Sequence, residues 1–93
     1  MSKCLVNNAN LDEEFWMPEH NFWQAVRRAE EAGFAFGYED FEGTGFGCLY
    51  VTSKSVNHLG RILNDDETKK NSDWAQGLSE WCKKCQRGWH VLV

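Results

Sequence analysis

Ninety-three residues, with ten Lys plus Arg against fourteen Asp plus Glu, describe one small, mildly acidic domain spanning residues 1–93. A hydrophobic content of 42% beside 26% charged residues excludes a disordered chain, and the length excludes a two-domain enzyme. No apolar stretch approaches the ~20 residues of a membrane-spanning helix.

The chain opens on Met1-Ser2-Lys3-Cys4-Leu5-Val6, too short an apolar run for a secretory leader. The expectation is therefore a cytoplasmic protein whose four cysteines are free or metal-bound. Leu5 and Val6 start a strand, and the polar stretch from Asn7 to Glu14 reads as a loop. A helix follows over about Pro18 to Ala32, with Phe22, Ala25, Val26, Ala29 and Ala32 recurring at three- and four-residue steps. Pro18 suits its first turn and Gly33 the left-handed position just past its end. Phe34 to Tyr38 and Cys48 to Val51 are the next strands. A second helix spans about Ser53 to Asn64 on the stripe Val56, Leu59, Ile62 and Leu63, with Thr52 or Ser53 as cap. After a polar loop from Asn64 to Asp73, a third helix runs from about Asp73 to Arg87. Its apolar positions are Trp74, Leu78, Trp81, Cys82 and Cys85, and Gly88 terminates it. Trp89 to Val93 closes the chain as a strand. The order β-α-β-β-α-α-β predicts an α+β fold, three helices packed on a small, mostly antiparallel sheet.

The net charge of −4 conceals an asymmetry: residues 1–52 hold nine acids and three bases, residues 53–93 five acids and seven bases. Direct nucleic-acid binding calls for a cationic face, because counterion release supplies most of that affinity. The bases here are scattered among acids, so the expected partner is a protein with a basic surface.

Several motifs touch on chemistry without completing it. Cys82-Lys83-Lys84-Cys85 falls near the C-terminal end of a helix, where the macrodipole opposes a thiolate, and both sulfurs share the apolar stripe; they read as core thiols. The alternative function is a small structural-zinc or ligand-binding module around Cys82, Cys85 and His90, with Cys4, Cys48 or His58 as a fourth ligand. Gly43-Thr44-Gly45-Phe46-Gly47 lacks the Gly-Lys-Ser/Thr ending of a phosphate loop. His20, His58 and His90 lie far apart in sequence, and no serine has a nucleophile-elbow context, so no catalytic residue, cofactor or metal is assigned.

The aromatics are more informative. Of five Trp, six Phe and two Tyr, the helix stripes and strands absorb Phe22, Phe34, Tyr50, Trp74, Trp81 and Trp89. Phe15, Trp16, Phe41 and Phe46 are left in acidic or glycine-rich sequence, beside Asp12, Glu13, Glu14, Glu39, Asp40 and Glu42. Large anchors with a charged rim suit a protein interface, so Phe15, Trp16, Glu39, Asp40, Phe41, Glu42 and Phe46 are the candidate partner-binding residues.

Three stretches carry a resemblance. Phe22-Trp23-Gln24-Ala25-Val26-Arg27-Arg28-Ala29-Glu30-Glu31-Ala32-Gly33-Phe34 resembles the aromatic-led helix, ending in Gly-aromatic, of a loose group of small uncharacterised proteins from bacteria and their phages. Val51-Thr52-Ser53-Lys54-Ser55-Val56-Asn57-His58-Leu59-Gly60-Arg61-Ile62-Leu63 is similar to that group's strand-to-helix segment, where an acid usually stands in place of Ser55. Trp81-Cys82-Lys83-Lys84-Cys85-Gln86-Arg87-Gly88-Trp89-His90-Val91 resembles its final helix, Cys, Gly-aromatic pair and closing strand. The resemblance implies a single-domain fold and brings no catalytic residues. By analogy with compact acidic proteins of such hosts, it implies a stoichiometric inhibitor. Toxin-immunity proteins and phage counter-defence proteins, anti-CRISPR proteins among them, act in this way on a nuclease or CRISPR effector.

Overall fold

A computed structural model of the chain describes residues 1–40, 47–65 and 72–93, with Thr68 and Lys70 between the last two stretches. Five strands form one antiparallel sheet, and three helices of the described residues pack against it, an α+β arrangement as expected. In chain order these are β1 (Ser2–Asn7), β2 (Asn10–Pro18), α1 (Glu19–Glu31), β3 (Gly37–Asp40), β4 (Gly47–Thr52), α2 (Val56–Leu63), α3 (Ala75–Lys84) and β5 (Gly88–Leu92). Across the sheet the strands run β2-β1-β5-β4-β3.

Strand β2 is the main departure from the sequence reading, which made Asn7 to Glu14 a loop. Asn7 faces Asn10 across a two-residue connection, and the Ala9 N–H donates to Asn7 Oδ1 at 2.9 Å. Asparagine side chains close such turns with their own backbone, so a polar run that looks like a loop folds as a hairpin. One edge of β2 is open to solvent, which is why charged residues are compatible with strand there.

Helix α1 begins directly after Pro18 and buries Phe22, Ala25, Val26 and Ala29. Its end is a Schellman motif: Gly33, at φ +91°, donates to the Glu30 carbonyl, and Phe34 donates back to Ala29, both at 3.0 Å. That turn drops the Phe34 ring into the core. Helix α2 starts later than its sequence signals suggest, after a turn in which the Ser55 N–H donates to the Thr52 carbonyl. Helix α3 packs on α2 across Gly60, where Ser79 Oγ donates to the Gly60 carbonyl at 3.3 Å.

One core lies between the helix layer and the inner face of the sheet. Leu5, Met17, Leu49, Val51, Trp89 and Val91 come from the strands, and Phe22, Leu59, Leu63, Leu78, Trp81 and Cys82 from the helices. No helix among the described residues is long and apolar enough to cross a membrane.

Candidate functional site

The helices cover one face of the sheet, and strand alternation sends every second side chain to the other. Register then lays out the outer face. Glu14 pairs with Val6, Val6 with His90, His90 with Tyr50, and Tyr50 with Gly37, making one row across all five strands. The neighbouring row holds Trp16 beside Cys4 and, from the other edge, Glu39 beside Cys48 beside Leu92. Tyr50 lies over Gly37, whose missing side chain leaves room for the ring.

Between Cys4 and Leu92 the sheet opens. Strands β1 and β5 share only the pairs Val6–His90 and Asn7–Trp89. Beyond them lies a groove of about 500 Å³, lined by Lys3, Cys4, Val6, Trp16, Cys48 and Leu92 with His90 at one end. Trp16 is 61% exposed and Leu92 60%, large values for apolar side chains. The Trp16 indole N–H donates to Glu14 Oε2 at 2.9 Å, so the carboxylate orients the ring. His90 is held from the side, its Nδ1 at 2.6 Å from Asn8 Oδ1.

The outer face has an acidic border and an apolar middle. Glu14 stands on edge strand β2 and Glu39 on edge strand β3, and no outward register position of the described strands carries Lys or Arg. Both acids reach the cysteines inside them. The Cys4 thiol is pushed up by burial and then by its hydrogen bond to Glu14; Cys48 is pushed up by burial, with Glu39 adding to it.

The candidate interface residues divide between the two faces. Trp16 and Glu39 lie on the outer face. Asp40 pairs with Gly47 on the other side, at the exposed edge beside Tyr38. Phe15, read as a loop anchor, sits in β2 facing the helices, its ring stacked on Trp81 at 5.6 Å between centroids. Alternation sends Phe15 inward and Trp16 outward, and so corrects their assignment to one acidic loop. Phe41, Glu42, Phe46 and most of the glycine-rich stretch lie outside the described residues. Tyr50 lies in a strand as expected, and the register puts it on the outer face.

Sequence reasoning missed Cys4, Val6, Cys48, His90 and Leu92 as parts of one surface. Their period-two placement in β1, β4 and β5 was legible, but only the strand order makes them neighbours.

Cys82 and Cys85 are buried in the helix layer, as expected. Burial pushes the Cys82 thiol up to about 11; burial and then the neighbouring Cys82 push Cys85 up to about 12. Neither is poised as a thiolate nucleophile. His90 points away from both, on the outer face, so the three groups of the zinc alternative do not converge. Among the described residues no three His, Cys, Asp or Glu side chains gather to hold a metal ion. His20 is on α1, and His58, on α2, lies against Phe34 at 5.9 Å between centroids.

No protein-family model matches the chain, and no significant match is found among curated proteins or solved structures.

Proposed function

We propose that the protein is a non-enzymatic protein-binding domain that acts as a stoichiometric inhibitor, using the outer face of its sheet to cover a basic surface on a nucleic-acid-handling protein. The observation that carries this reading is the outer face itself, which no helix of the described residues covers, with Trp16 and Leu92 exposed and Glu14 and Glu39 at its borders. Exposed aromatic and aliphatic anchors supply affinity, and a one-signed rim selects and steers the partner. A basic partner surface is what a nuclease or related effector presents to phosphate, so covering it would block substrate access.

The test is affinity capture followed by identification and titration. The retained protein is expected to lose its nucleic-acid-dependent activity at a one-to-one ratio. Trp16→Ala and the double substitution Glu14→Gln, Glu39→Gln are expected to release it. Capture unchanged by these substitutions would remove the outer face from the mechanism.

A further inference from the structure

The geometry points to the groove between β1 and β5 as the seat of one branched aliphatic side chain of the partner, flanked on the partner by a basic residue about three positions to either side. This rests on the reading of the outer face as a docking surface for a basic protein, and it specifies the segment recognised.

The groove lies near the middle strand of five, where Cys4, Val6, Cys48 and Leu92 make its walls and Trp16 rises at one side. It is concave and mostly apolar, the form in which a single buried anchor contributes most to an interface. Neighbouring strands are about 4.8 Å apart, so Glu14 on one edge and Glu39 on the other stand roughly 20 Å apart. An extended chain rises about 3.3 Å per residue and needs about six residues to span that distance. A segment crossing the strands therefore meets Glu14 and Glu39 with basic residues at about −3 and +3 when its apolar residue is over the groove. The one cation lining the groove, Lys3, is paired with Glu19 at 3.6 Å, so the acids at both borders favour such a cationic segment and disfavour a second copy of this chain, whose own acids would face them.

The experiment uses the full chain, isotope-labelled, and two end-capped synthetic peptides, Lys-Ser-Ser-Leu-Ser-Ser-Lys and the same peptide with Ala for Leu. Backbone amide shifts are followed by NMR at about 0.01 M and 0.15 M salt, where screening lengths are about 30 and 8 Å. The Leu peptide is expected to shift amides of Cys4, Val6, Cys48 and Leu92, and the Ala peptide to bind about tenfold more weakly, as expected for leaving one leucine out of an apolar site.

Two substitutions on the exposed or half-exposed outer face, Cys4→Phe to fill the groove and Leu92→Ser to remove a wall, are expected to weaken the Leu peptide by a similar factor. Dispersed spectra of each variant show that it is folded. Glu14→Gln with Glu39→Gln is expected to abolish the salt dependence. If charge removal weakens binding while both groove variants and the Ala peptide bind as before, the groove inference falls and the docking surface stands. If the groove matters and charge does not, the basic-partner reading falls, and this inference with it. Absence of peptide shifts at millimolar concentration overturns the inference. So does binding of free indole as tightly as the Leu peptide, which would make the groove a small-molecule site. Outer-face shifts on concentrating the protein alone, which would assign that face to a second copy, overturn it as well.

Discussion

Phe15 and Trp16 are adjacent, similar in size and flanked by the same acids, yet they do opposite work. Phe15 packs on Trp81 beneath the sheet, and the Trp16 ring stands in solvent above it. Trp16→Ala should change stability by no more than about 0.5 kcal/mol, because the ring is mostly exposed. Trp89→Ala should cost about 3–5 kcal/mol, because Trp89 is among the largest fully buried side chains. Urea denaturation of both variants checks the contrast. In a domain whose whole stability is on the order of 5–15 kcal/mol, the second change approaches unfolding. The cysteines separate in the same way. At pH 7.5 a thiol reagent should modify Cys4 and Cys48, slowly because both thiols are pushed up. Cys82 and Cys85 should react only after denaturation. Mass spectrometry of the time course assigns the sites.

At the scale of elements, two glycines offer a comparison. Gly33 ends α1 at φ +91° with nothing near where a side chain would go, so Gly33→Ala should cost about 1–2 kcal/mol of backbone strain. Gly88 starts β5 at φ +88°, and there a Cβ would meet the Val51 carbonyl oxygen at 2.0 Å. Gly88→Ala should therefore cost clearly more, since strand β4 must also move; thermal unfolding of the two variants decides it. Helix α3 is tied to β2 by Lys84 Nζ, 2.6 Å from Glu13 Oε2. The hydrogen bond from Lys84 holds the Glu13 carboxyl below its ordinary range. A carboxyl lowered on folding stabilises above its unfolded pKa, and that contribution is lost as pH falls through the folded value. The melting temperatures of the protein and of Glu13→Gln should accordingly differ at pH 6 and converge toward pH 3.

At the scale of the molecule the helices of the described residues pack on one face of the sheet and leave the other as a single surface, and the binding predictions concern that surface. Much of the architecture was legible beforehand. The stripe of Phe22, Ala25, Val26 and Ala29 announced α1, and Gly33 marked its end, because helix period and the left-handed turn are local properties. The placement of Cys82 and Cys85 in the core followed from the same kind of periodicity. The hairpin made by β2 was not legible, because Asp12, Glu13 and Glu14 look like loop residues until an open edge tolerates them. By itself the sequence determined an acidic α+β domain, its helix faces and its buried thiols, all set by neighbours within a few residues. Only the tertiary structure decided that Trp16, Cys4, Leu92, Cys48 and Glu39 share one surface. They come from all five strands, and strand order and register, not spacing along the chain, bring them together.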